Sequence, residues 1–135
     1  IPFENLTRAL NTVKLTARLK PQIVQTSIYY PYPQTDLYEI CRQKGFLTDK
    51  RLDSYFEADT VLNLPEFPQA QILFAYQNFE NFVKLYRFAY KLPRPLSTIF
   101  EKLTDTLYLY PSIFRHLLTC YQPFKKIFKW VRRKK

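Results

Sequence analysis

Prolines decide where this chain can hold regular structure. There are ten of them and a single glycine. A proline lacks the backbone donor, and it keeps the residue before it out of helical geometry. The chain is therefore cut near Pro21, Pro31 and Pro33, Pro65 and Pro68, Pro93, Pro111 and Pro123.

In the first stretch Leu6, Leu10, Val13 and Ala17 recur at helical spacing, with Leu15 and Leu19 nearby. Asn5 is a suitable cap, because its short side-chain oxygen can accept an orphan backbone N–H. Residues 23–30, Ile-Val-Gln-Thr-Ser-Ile-Tyr-Tyr, are β-branched and aromatic and predict a strand. Thr35 then caps a helix from Asp36 to Lys44, with acidic residues early and basic ones late, as the helix dipole prefers. Gly45 supplies a left-handed stop. Helix, strand and helix on short connections predict an α/β fragment, one slice of a parallel structure. One strand cannot make a sheet, so this slice calls for strands from elsewhere. Residues 46–63 are mixed, with a short extended piece expected at Thr60–Leu62.

Beyond Pro68 the periodicity is helical. Ile72, Tyr76, Phe79, Val83, Tyr86 and Tyr90 form one stripe, widened by Phe82 and Ala89. Leu96, Ile99, Phe100, Leu103 and Leu107 form a second. A third follows Pro111 with Ile113, Phe114, Leu117, Leu118 and Tyr121. The last is Phe124, Ile127, Phe128 and Val131.

The net charge of +10 is unevenly placed. Up to Glu66 basic and acidic residues balance, and from Phe67 onward there are 13 of the former and 3 of the latter. Two parts are expected, a neutral α/β part over 1–66 and a basic, aromatic-rich helical extension over 67–135. One glycine argues against a phosphate-cradling loop. One His and two Cys argue against a self-contained zinc site and against a disulfide scaffold. Cys41 and Cys120 suit helix packing, Asp49 and Asp53 a solvated surface, and His116 has no nearby carboxylate to make it a base. The chain holds no Met and opens on Ile1, which reads as a piece of a longer reading frame. The longest uncharged stretch, Pro21 to Thr35, carries three prolines and does not suit a membrane span of ~20 apolar residues.

The run Ile1-Pro2-Phe3-Glu4-Asn5, the helix to Leu19-Lys20-Pro21, the strand, and Tyr30-Pro31-Tyr32-Pro33-Gln34-Thr35-Asp36-Leu37-Tyr38 together resemble the later part of a radical SAM barrel. The likeness is to the cobalamin-binding-domain radical SAM proteins, a group that includes the anaerobic magnesium-protoporphyrin ester cyclases. Those proteins often carry a Gly-(Ile/Leu)-Pro-x-Glu-Thr loop and a strand ending in Pro-x-Pro-Gly-Thr. The resemblance covers residues 1–66 and implies the last helix–strand–helix unit of a partial β/α barrel. The helical tail resembles the variable C-terminal extensions of the group.

Two departures stand out. Gln34 occupies the position where glycine is usual, so the turn must avoid a positive φ or tolerate Gln there. The Cys-x-x-x-Cys-x-x-Cys loop that holds the iron–sulfur cluster is absent. The resemblance thus implies the C-terminal portion of a larger cytoplasmic enzyme that uses a 4Fe-4S cluster, S-adenosylmethionine and cobalamin. This chain alone would bind none of them and have no catalytic residue. Its partner would be the amino-terminal part of the same polypeptide.

In that parent Glu4, Tyr29, Tyr30, Tyr32 and Thr35 would lie near S-adenosylmethionine and the substrate. The competing reading makes the tyrosines packing, Thr35 a helix cap and Glu4 a match to the helix dipole. Two other classes stay open. Phe124, Lys125, Lys126, Phe128, Lys129, Trp130, Arg132 and Arg133 combine an apolar face, a cationic face and a boundary Trp, which suits an anionic membrane surface on the cytoplasmic side. Packing on the preceding helices competes with that reading. The basic end is also compatible with nucleic acid, the least favoured of the three.

Overall fold

The computed structural model describes residues 1–50 and 59–117. Its named elements are α1 (Leu6–Leu19), α2 (Asp36–Gln43), α3 (Gln69–Ala89) and α4 (Leu96–Leu109). Residues 111–117 are helical as well.

The helix–strand–helix unit of a β/α barrel is not formed. The described residues contain no strand, and the only β pairings among them are two isolated antiparallel bridges, Leu47 with Leu62 and Leu64 with Phe67. Residues 23–30 run without regular structure, and among the described residues no backbone–backbone hydrogen bond involves residues 21–31. The physical reason is simple. β-branched residues make a segment fit for a sheet, but a ladder needs a second strand to receive its N–H and C=O groups. The rest of the described chain is spent on helices and proline-cut loops.

The helices flanking that segment form where their sequences dictate. In α1 the residues buried in the core are Leu6, Leu10, Val13 and Ala17. The Asn5 side chain accepts from the Arg8 N–H at 2.9 Å, and Lys20 closes the helix in the left-handed region at φ 51°. Thr35 caps α2 by accepting from the Tyr38 N–H at 3.3 Å. At the other end Gly45 (φ 66°) donates to Arg42 O, and the Phe46 N–H reaches back to Cys41 O at 2.8 Å. That 6→1 bond beside a 5→2 bond is a Schellman stop. Thr48 N–H donates to Val61 O and Asn63 N–H to Phe46 O, so the extended piece at Thr60–Leu62 pairs briefly with residues 46–48.

Helix α1 packs on both α3 and α4, so the core crosses the compositional boundary at residue 66. Phe74, Phe82, Tyr108 and half-buried Phe114 meet as an aromatic cluster, with ring centroids 4.8–6.0 Å apart. A polar network ties the three helices beside it. Lys14 of α1 bonds Asp105 at 2.7 Å and Glu101 at 3.2 Å, and the Tyr86 hydroxyl donates to Asp105 at 2.5 Å. Helix α4 turns Thr104 and Tyr108 into the core, and Glu101 and Asp105 lie beside them on Lys14. Leu96, Ile99 and Leu103, which periodicity alone assigns to the core stripe, are each more than half exposed.

Candidate functional site

A cavity of about 550 Å³ lies between α1, residues 23–29 and the first turns of α3. Its floor is apolar, with Phe67, Ile72, Ala75 and Phe79. Its polar groups are few: Glu4, Thr12, Thr16, Thr60, Tyr76 and Tyr108, besides the outer segment. An apolar cleft of several hundred Å³ with a handful of polar groups is the usual form of a small-molecule site.

Two fixed points hold the outer wall. Arg87 of α3 donates to the Pro21 carbonyl at 3.0 Å, and its partner turn on α1 is gripped by Arg18 over the Tyr90 ring at 5.6 Å. At the far end Tyr29 packs against the core cluster and Pro31 is buried. Between these anchors the backbone has no backbone hydrogen-bond partner among the described residues, and Ile23 is 86% exposed.

Of the five residues expected near a ligand, Glu4 and Tyr29 line the cavity. Glu4 accepts from the Asn5 N–H through Oε1 at 3.3 Å, which leaves Oε2 for other donors. Burial raises the Tyr29 phenol above its ordinary pKa, with a further push from Cys41 and an opposing hydrogen bond with Thr35. Tyr30, Tyr32 and Thr35 stand outside the cavity lining. Tyr30 and Tyr32 meet edge to face at 5.1 Å. The Thr35 hydroxyl donates to Tyr32 O at 2.8 Å and caps α2, so its capping role is the one in evidence. The expected membrane residues Phe124, Lys125, Lys126, Phe128, Lys129, Trp130, Arg132 and Arg133 lie outside the described residues, as does Cys120.

Sequence reasoning missed Tyr108. Its side chain is fully buried at the cavity, and its hydroxyl has no partner among the described residues. Burial, and then the Glu4 charge, push its pKa upward, so it stays a neutral phenol with a proton to donate. No local signal marked it, because Glu101 and Asp105 share its side of α4 and charged residues ordinarily face solvent.

A 4Fe-4S cluster does not fit this chain's own residues. It needs three thiolates, and among the described residues Cys41 is buried, with burial pushing its thiol up. No group of three or more His, Cys, Asp or Glu among them could hold a metal ion. No helix among them is long and apolar enough to cross a membrane. No protein-family description, curated protein or solved structure matches the chain.

Proposed function

We propose that the chain is the C-terminal portion of a cytoplasmic, cobalamin-dependent radical SAM enzyme, and that its cavity forms part of the wall around S-adenosylmethionine or substrate. The observation that carries this reading is the turn before α2. Gln34 has φ 69°, a left-handed value that an L side chain adopts at a cost and that glycine adopts freely. This is the position where the resembled Pro-x-Pro-Gly-Thr motif has its glycine. A left-handed residue at this position is what a motif with glycine there calls for, and it supports the resemblance.

The cavity supports the reading from a second side. Glu4 offers a carboxylate that can receive the ammonium or sulfonium charge of S-adenosylmethionine, and Tyr29 offers a ring face beside it. The cluster and its chemistry belong to another part of the polypeptide. The free thiol of Cys41 accords with a reducing compartment.

The reading frame containing Ile1 provides the first test. An in-frame Cys-x-x-x-Cys-x-x-Cys upstream supports the proposal, and a start codon next to Ile1 preceded by a stop overturns it. Equilibrium titration of the whole polypeptide with S-adenosylmethionine gives the second. Glu4→Gln should weaken binding about tenfold, the equivalent of ~1.4 kcal/mol, while Tyr30→Phe leaves it unchanged.

A further inference from the structure

We propose that the outer face of α4 is a docking face for an anionic lipid bilayer. Three observations meet there. The first is a row of large apolar side chains left in solvent: Leu96 at 54%, Ile99 at 55% and Leu103 at 57% exposure, one turn apart on one side of the helix. The row is followed along the chain by Tyr110, Ile113 and Leu117, all exposed. A run of this kind exceeds the scattered apolar residues that any surface carries.

The second is charge. The acidic residues of α4, Glu101 and Asp105, are both bound to Lys14 on the inner side. The outer side is left with exposed Lys102, and exposed Arg94 precedes the helix. The fold has thus sorted α4 into an inward acidic edge and an outward face that is apolar and cationic. That is the charge pattern of a helix lying in the headgroup region of an anionic membrane.

The third comes from the sequence alone. Residues 118–135 add seven Lys and Arg and no acidic residue. They add positive charge to the chain that carries this face, and a bilayer of anionic lipid is the complement of both. A second copy of the chain would bring the same cations to the same place and be repelled.

The test is sedimentation of the full chain with vesicles of phosphatidylcholine alone and of phosphatidylcholine with phosphatidylglycerol. Binding to the anionic vesicles should exceed binding to the neutral ones at least ~10-fold and weaken as salt rises. The double variant Ile99→Ser with Leu103→Ser should lose at least ~10-fold in partition to anionic vesicles while keeping its thermal melt, since both side chains lie outside the core. Lys102→Glu removes no apolar area, and it should lower anionic binding severalfold and leave neutral binding alone. Equal binding to both vesicles overturns the proposal, as does a double variant that binds like the parent. So does self-association that the double variant abolishes in the absence of any vesicle binding, which would assign the face to a second copy.

Discussion

At the scale of single residues, strain and hydrogen bonding can be assigned to named groups. Gln34 holds a left-handed φ of 69°, which glycine would adopt without the cost of a Cβ. Gln34→Gly should raise stability by about 0.5–1 kcal/mol in denaturant unfolding, the relief of backbone strain being partly offset by a freer unfolded chain. The Tyr86 hydroxyl donates to Asp105, which also bonds Lys14, in a half-buried network. Tyr86→Phe should cost about 1.5 kcal/mol, toward the low end for a charged hydrogen bond because Lys14 still partners Asp105. Both residues were legible as types in the sequence, Gln34 as a replaced glycine and Tyr86 as a stripe member. The Tyr86–Asp105 pairing was not, since 19 positions separate them and only the packing of α3 on α4 brings them together.

At the scale of elements, α1 and α2 were legible and α4 was half so. Local rules set α1 and α2: each starts on a side-chain cap and ends at a left-handed residue, Lys20 or Gly45, and α1 adds an apolar stripe. Local rules also fix that residues 96–109 form a helix, but not which face turns inward. The stripe of Leu96, Ile99 and Leu103 faces solvent, while Tyr108 packs on Phe74 and Phe82 and Asp105 and Glu101 meet Lys14. A pair of substitutions checks this orientation. Leu103→Ala should change stability by less than ~0.5 kcal/mol, while Tyr108→Ala should cost ~3–5 kcal/mol through loss of the ring packed on Phe74 and Phe82. Comparable costs at the two positions would mean that the leucine stripe faces the core after all.

At the scale of the whole molecule, the helices are held by one shared core and one shared polar network, so their ionisation is coupled to folding. Burial draws the Lys14 pKa down, but the hydrogen bonds and charges of Asp105 and Glu101 outweigh it and leave it raised above 10.5. Tyr86 and Tyr108 are raised as well, chiefly by burial. A raised pKa means the folded state holds its proton longer than the unfolded state. The stability these groups contribute is complete below their unfolded values, near 10 for the tyrosines, and is lost as pH rises toward their folded values. The unfolding midpoint should therefore fall progressively above pH 10. A Tyr86→Phe, Tyr108→Phe chain should show a shallower fall, measured by urea unfolding across that range.

Sequence by itself determined where α1 and α2 begin and end, that residues 69–89 and 96–109 form helices, that the second half is cationic, and that residues 23–30 have the composition of a strand bounded by prolines. Each is a local matter of propensity, capping or composition, decided within a few residues. Tertiary structure alone decided that this extended segment has no sheet to join, that it instead walls a cavity with Glu4, Tyr29 and Tyr108, and that α4 presents leucine and isoleucine to solvent. Those outcomes depend on which distant groups can satisfy one another. A strand is completed only by another strand, and a helix turns inward the face that finds partners.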